Sequence, residues 1–248
     1  EKVAAGRQLL CFTATWPKKV DLLAKEFLSD AIRIQVGSNE AVGVSGNQSC
    51  FQHVRMLSET SPEARSAELQ RLLTQRNGQA CIVFCATKKR TAALGRELRE
   101  VAFPARSLHG DLPQAERQMA MAAFRMGEAN ILVATDVAAR GLDVKRVSYV
   151  VSFDPAVSLD AHVHRIGRCG RAGQRGDAFA FLGPQDVTYA QLLRDSMVSA
   201  GQEVPVAVSA LAAQPSPDSG PGMTDRLRHS KRKRQNSKPS KSAGTGKG

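Results

Sequence analysis

The chain has 248 residues, 42% of them hydrophobic and 23% charged, which excludes a mainly disordered chain or a fibrous repeat. Its net charge of +12 is unevenly placed: nine basic and two acidic residues from Gln214 onward leave +7 there and +5 on residues 1–213. No apolar run approaches the roughly 18–20 residues of a membrane span, and the first thirty residues lack the basic, apolar, small-residue order of a secretory signal.

The sequence opens at Glu1 and not at a methionine, and it reads as a piece of something longer. Gln8–Gly37 holds one strand and one helix, too little to stand alone, so residues 1–37 are expected to be the end of a preceding domain. The Gly-, Ser- and Asn-rich stretch that follows reads as a linker over 38–49. Ser58–Gln75 is predicted helical, with Ser61 as its cap, Pro62 in its first position, and Leu69, Leu72 and Leu73 as its apolar surface. Ala80–Phe84 reads as a buried strand, followed by a helix over Thr87–Val101 with Ala93, Leu94, Leu98 and Val101 inward. Arg106–Leu108 is short and extended, and Pro113–Met126 shows Met119, Ala122, Ala123 and Met126 at helical spacing.

Ile131–Ala134 and Tyr149–Phe153 are further apolar strands, the first ending in a turn at Asp136. Leu159–Ile166 reads as a helix with Ser158 or Asp160 near its start, and Ala178–Leu182 with Pro184–Ala200 repeats the strand-then-helix pattern. Such alternation with nearly continuous apolar strands predicts an α/β fold, a parallel sheet with helices on both faces, over residues 50–205. Ligands gather at the carboxyl ends of such strands. Residues 206–248 read as a disordered basic tail of Pro, Ser, Gly and Lys, densest at Lys231-Arg232-Lys233-Arg234. It serves as a solvated end, a nuclear-entry signal or a non-specific RNA contact.

Three stretches carry chemistry. His164–Gly173 reads HRIGRCGRAG, with arginines at 165, 168 and 171 and glycines at 167, 170 and 173. Guanidinium groups stay charged and present a planar fork to phosphate, and the glycines let the backbone turn so that two arginines point at one site. The plainer reading is a basic surface loop. Ala134–Asp143, ATDVAARGLD, follows a strand end, where a Thr hydroxyl meets backbone phosphate and a carboxylate holds ribose hydroxyls; alternatively Asp136 caps a short helix. His109-Gly110-Asp111 with Gln114 and Arg117 lets phosphate approach the backbone at a helix start, or is a helix capped by Asp111 with a solvated face.

With Phe12–Pro17 (FTATWP) and Ile82–Thr87 (IVFCAT), these stretches stand in the motif order of the DEAD-box RNA helicases, which the chain resembles from about Gln8 to Leu182. The opening motif and Ile32–Ser38 are most similar to the p68-type branch. The resemblance implies a second RecA-like domain, the helicase C-terminal domain, preceded by the end of the first. It implies that Thr13 and Thr15 occupy the Ser-Ala-Thr motif that couples nucleotide state to strand separation, with threonine replacing the serine. It places Thr87, Gly110, Gln114, Arg117 and Thr135 on the RNA sugar-phosphate backbone. Asp143 then meets the ribose of ATP, Arg168 and Arg171 are arginine fingers for the γ-phosphate, and His164 helps join the two domains. Cys169 stands where the family usually has threonine, which is expected to alter loop packing, and His162 where an aromatic hydroxyl is common.

The implied partners are RNA, held largely without sequence preference, and ATP with Mg²⁺, held mainly by an N-terminal RecA-like domain. No G-x-x-x-x-G-K-[ST] and no Asp-Glu-Ala-Asp sequence occurs, so the chain alone is expected to fold, as a monomer, without hydrolysing ATP. The competing readings are a non-catalytic RNA-binding or regulatory module, and a DNA-directed superfamily 2 helicase differing at the Thr13–Thr15 motif and at Gln114–Arg117. Cys81 and Cys85 lack a second pair for a zinc site and read as buried thiols. His162 and His164 sit in a cationic stretch that repels a metal, and Trp16 is expected to pack a helix start. The five scattered cysteines point to a reducing compartment, and the tail to a nuclear or nucleolar one.

Overall fold

Six short segments rich in Val, Ile, Ala and Phe pair side by side, every one parallel to its neighbour, in the order β1-β6-β5-β2-β4-β3. The computed structural model describes residues 8–13, 18–28, 30–34, 49–142, 144, 146–170 and 174–216. Along the chain run α1 (Lys18–Phe27), β1 (Cys50–Met56), α2 (Pro62–Gln75), β2 (Cys81–Cys85), α3 (Lys88–Glu100), β3 (Ala105–Leu108) and α4 (Gln114–Met126). They are followed by β4 (Ile131–Thr135), α5 (Asp136–Ala139), β5 (Tyr149–Ser152), α6 (Leu159–Ile166), β6 (Gly176–Leu182), α7 (Val187–Ser199) and α8 (Val206–Ala212).

Side chains on a strand alternate between faces, so the central strands feed two cores. Ile82, Phe84, Leu132, Ala134 and Val150 point to the side covered by Met121 and Phe124 of α4 and Ile166 of α6. Cys81, Val83, Ile131, Val133, Tyr149 and Val151 point to the other, under Leu69 and Leu72 of α2 and Leu94 and Leu98 of α3. On the first side, Ala180 and Leu182 of β6 pack with α7 and α8. The approach of α3 to β3 depends on Gly95: a Cβ there would lie 2.0 Å from Ser107 Oγ.

Four expectations change. The inner face of α4 is Ala120, Met121, Ala123 and Phe124, while Met119, Ala122 and Met126 face outward, because the helix turns its largest ring, Phe124, into the core. Val101 is exposed at the end of α3, and Thr91 and Gly95 complete its inner stripe. No strand forms among the described residues of 8–34, where Leu9, Leu10, Ile32 and Ile34 are exposed; a strand needs a neighbour for its ladder, and this sheet offers them none. The segment from 206 begins with α8, because Val208, Leu211 and Ala212 make a helical stripe buried on α7. β1 joins the sheet at its edge through an irregular burial pattern, which hid it from a reading by periodicity. Most of the linker, Trp16 and the basic stretch 231–234 lie outside the described residues.

One polar side chain ties α2 to the sheet. Arg65, 4% exposed, donates Nη1 to the carbonyls of Phe153 (2.9 Å) and Phe181 (3.0 Å), and Nη2 to Asp186 Oδ2 at 2.5 Å. Asp186 in turn accepts from the Gly183 amide at 2.7 Å, so the ends of β5 and β6 and the turn into α7 share one guanidinium. Arg65→Met strands a buried carboxylate and two carbonyls and is expected to cost about 3–5 kcal/mol in urea unfolding, with Arg65→Lys intermediate.

Candidate functional site

After β2 the chain runs to β3 and β4 on one side and then crosses to β5 and β6 on the other, which makes the carboxyl end of β2 the topological switch point where parallel sheets bind ligands. Three segments meet there. At the end of β4, the Thr135 hydroxyl caps α5 by accepting from the Ala138 amide at 3.4 Å. The cap is thus Thr135 and not Asp136, whose carboxylate is left to face α6. After β5, Ser158 caps α6 by accepting from the Ala161 amide at 3.1 Å; the helix presents His164 and Arg165, and Arg168 follows just past its end.

Arg165 is 1% exposed, and each of its three guanidinium nitrogens is hydrogen-bonded. Its Nε and Nη2 bind Asp136 Oδ1 and Oδ2 at 2.7 and 2.9 Å, and its Nη1 donates to the Asp154 carbonyl at 2.7 Å. Its guanidinium carbon lies 5.3 Å from the centroid of the Phe84 ring. Burial is the largest single influence and works against the charge, but the Asp136 hydrogen bonds together with the charge interactions of Tyr189, Asp136 and Asp154 outweigh it, and the net shift of the Arg165 pKa is upward. The Asp154 side chain, meanwhile, accepts from the Ala86 amide at 2.8 Å, closing the turn that follows β2.

Arg168, one turn on, is partly buried, with Nε on the His164 carbonyl at 3.1 Å and Nη1 on the Leu142 carbonyl at 3.2 Å. Phe84, Asp136, Ala139, His164, Arg165 and Arg168 line a cleft of about 20 Å³. That volume holds about one water molecule, against the roughly 300 Å³ or more of an enclosed small-molecule site.

Behind α6 lies a buried polar cluster. His162 Nε2 meets Gln52 Oε1 at 2.8 Å, Ser196 Oγ donates to the same oxygen at 3.2 Å, and Tyr189 Oη lies 3.5 Å from His162 Nδ1. Gln52 Oε1 can only accept, so Nε2 carries the proton and Nδ1 accepts from Tyr189. Burial, with the Arg165 charge adding to it, lowers the His162 pKa to about 4, and the ring is neutral.

A second rim runs along the ends of β2, β4 and β3, which are neighbours in the sheet. Thr87 caps α3 by accepting from the Arg90 amide at 3.1 Å. Lys88 Nζ reaches Asp111 Oδ1 at 2.5 Å, so Asp111 pairs with Lys88, while α4 begins at Pro113 without a side-chain cap. Gly110 is exposed, and a Cβ there would meet Lys88 Cε at 3.6 Å. Arg117 Nη1 donates to Gln114 Oε1 at 3.3 Å, which puts both on one face, and Arg117 Nε and His109 Nδ1 are buried without a hydrogen-bond partner. An uncapped helix start with a cation beside it suits an anion.

The structure thus brings Thr87, Gly110, Gln114, Arg117 and Thr135 to one rim and His164 and Arg168 to the cleft beside it. Thr13 is exposed; Thr15, Asp143 and Arg171 lie outside the described residues. The reading by motif missed the division of labour among the arginines: Arg165 is an internal tie, and its partners Asp136 and Asp154 carry the site's geometry. The available signal was an acidic residue directly after each of two strand ends. Burial pushes the Cys81 thiol up to about 12 and the Cys85 thiol higher still. Among the described residues no cluster of His, Cys, Asp or Glu could hold a metal.

Comparison with known proteins gives one consistent set. Residues 64–173 match the family described as "Helicase conserved C-terminal domain". The DEAD-box ATP-dependent RNA helicase 20 of Arabidopsis thaliana is 40% identical over 227 residues, 90% of this chain and 44% of the relative, so the chain spans less than half of that protein. Saccharomyces cerevisiae Dbp5, solved bound to RNA and ADP BeF3, superposes with a TM-score of 0.65 at 28% identity, covering 81% of this chain and 53% of that one. The Escherichia coli DEAD-box protein SrmB, solved bound to regulator of ribonuclease activity A, superposes with a TM-score of 0.52 at 31% identity, covering 67% of this chain and 97% of that one.

The His162 environment sets a pH dependence. The unfolded histidine takes up a proton near pH 6.5 and the folded one only near pH 4, so across that window the unfolded state binds more protons. Stability is fully present above about 6.5 and falls as pH drops toward 4, by about 3 kcal/mol at most. His162→Tyr is expected to remove this component, so the difference in urea midpoint between the two proteins changes across pH 6.5–4 and is constant above it.

Proposed function

We infer that this chain, which belongs to the DEAD-box RNA helicase family, acts as the C-terminal lobe of an ATP-dependent RNA helicase, supplying the γ-phosphate arginines and half of the RNA surface. The observation that carries this reading is the Arg165 tie to Asp136 and the Asp154 carbonyl, which sets α6 at the switch point with His164 and Arg168 in the cleft. A cleft of about 20 Å³ that carries Arg165 and Arg168 against the single carboxylate of Asp136 is a half-site in this reading. In this reading a second lobe, carrying the phosphate cradle and the Mg²⁺ ligands, closes over it, and Asp143 and Arg171 complete it on the ribose and γ-phosphate. The chain contains neither the G-x-x-x-x-G-K-[ST] nor the Asp-Glu-Ala-Asp sequence.

The chemistry is positioning and electrostatics. Negative charge on the transferring phosphoryl group meets Arg168, which its backbone acceptors at His164 and Leu142 hold in orientation. Along the second rim, Thr87, Gly110, Gln114, Arg117 and Thr135 meet the sugar-phosphate backbone, and such contacts position RNA without reading its sequence. Closure of the two lobes then couples ATP hydrolysis to local duplex opening or remodelling of an RNA-protein complex. We also propose that the tail around residues 231–234 directs the protein to the nucleus.

Two measurements test this reading. In the protein joined to an N-terminal lobe of the family, Arg168→Ala is expected to lower RNA-stimulated ATP hydrolysis by about 10³-fold or more while RNA affinity holds; unchanged hydrolysis overturns the role of Arg168. Arg117→Ala is expected to weaken binding equally for RNAs of different sequence and to reduce the slope of log affinity against log salt by about 0.7 to 1.

A further inference from the structure

Four of the five cysteines are buried, and two of those meet: Cys50 Sγ and Cys169 Sγ lie 3.3 Å apart, 119 residues apart in the chain. Cys50 opens β1 at the edge of the sheet, and Cys169 follows Arg168 in the arginine-bearing loop. Cys50 is in register with Gly176 of β6, and a Cβ at Gly176 would lie 2.8 Å from both Cβ and Sγ of Cys169. The glycine is what lets the loop settle onto the strand pair and bring its sulfur against Cys50. Cys81 and Cys85 sit at opposite ends of β2, roughly 13 Å apart at the strand rise of about 3.3 Å per residue, too far to bond to each other.

We propose that Cys50 and Cys169 are a redox-sensitive pair that closes to an intramolecular disulfide, tying the first strand of the domain to the arginine loop. The sulfurs need to approach by little more than an ångström to reach the roughly 2.05 Å of a disulfide. The oxidant is hydrogen peroxide. One thiol sulfur attacks a peroxide oxygen; the O–O bond breaks, the sulfur becomes a sulfenic acid, and water leaves carrying the thiol proton. The second sulfur attacks the sulfenic sulfur; the S–S bond forms as S–O breaks, and a second water leaves with the remaining proton.

The packed loop restrains this reaction. Both residues are at most 1% exposed, and the Cys169 thiol, held by its hydrogen bond to Cys50 and by burial, stays protonated. Its Sγ is also within 3.4 Å of the carbonyls of Ile166 and Asp177. Oxidation therefore requires the loop to lift, and it runs slower than reaction at exposed Cys11. A closed disulfide fixes the segment beside Arg168. Its effect on phosphate chemistry rests on the function proposed above, whereas the bond itself does not.

The test uses the whole chain with Cys11→Ser, which leaves four thiols. After hydrogen peroxide, denaturation and blocking with N-ethylmaleimide, the thiol count is expected to fall from four to two, with Cys50 and Cys169 in one non-reduced tryptic species that dithiothreitol separates. Hydrogen exchange of residues 167–170 and 174–176 is expected to slow on oxidation and recover on reduction. Adding Cys169→Thr or Cys50→Ser leaves three thiols and abolishes both effects. Four free thiols after peroxide, or linkage through Cys81 or Cys85, overturns the proposal. These readouts do not use ATP, so loss of hydrolysis in Arg168→Ala is judged separately.

Discussion

A buried guanidinium is tolerable only when its nitrogens find acceptors, and Arg165 sets that condition for the whole site. Its fork takes both oxygens of Asp136, its remaining arm takes the Asp154 carbonyl, and its face lies over Phe84. These partners come from the ends of β4, β5 and β2, so the charge cannot be satisfied unless three parallel strands end at the right heights and α6 sits at one angle across them. Replacing such a tie with apolar side chains can leave stability unchanged. What the charged version supplies is one orientation of α6, from which His164 and Arg168 project.

The back of α6 is fixed by a different device. His162, Gln52, Tyr189 and Ser196 join it to the edge strand β1 and to α7 through neutral hydrogen bonds in an apolar setting. Gln202 extends the connection, with Oε1 accepting from the Gln52 amide at 2.9 Å and Nε2 donating to the Cys50 carbonyl at 2.7 Å. The helix is thus held by a charged clamp on its ligand side and an uncharged network behind. Arg165 also makes protonation of His162 unfavourable, so the two devices reinforce each other: a second positive charge beside the first would be unpaired.

How much of this was legible beforehand follows from the range of the forces involved. Buried strands announced themselves because a strand covered on both faces is apolar along its length, as Ile131–Ala134 is. The caps at Ser61 and Ser158 are local hydrogen bonds and were readable as such. The cap at α5 went to Thr135 and not to Asp136, the residue the sequence offered, because Arg165, 29 residues away, takes the Asp136 carboxylate. The phase of α4 escaped for a related reason: its apolar residues lie on two sides, and only the sheet beneath selects the stripe with Phe124. β1 and α8 were missed where partners decide: an edge strand with mixed burial, and a helix stabilised by α7 beside a polar tail. Gly110, Gln114 and Arg117 were singled out by motif, and the shared face of Gln114 and Arg117 follows from helical spacing alone.

The shallowness of the cleft has a physical consequence for the proposed chemistry. Two unit charges 4 Å apart attract by about 1 kcal/mol in water and by about 4 kcal/mol at the effective dielectric of a protein surface partly shielded from it. An arginine at an open cleft of about 20 Å³ works close to the first limit, so a phosphate beside it gains little. Covering the same arginine with a second wall moves it toward the other limit without adding a contact, and a rate effect of ~10³ needs about 4 kcal/mol. The orientation of Arg168 by the His164 and Leu142 carbonyls means that little rearrangement is left to be made at that moment. Under the function proposed above, a lobe built this way waits for closure, and hydrolysis would be gated by whatever brings the second wall into place.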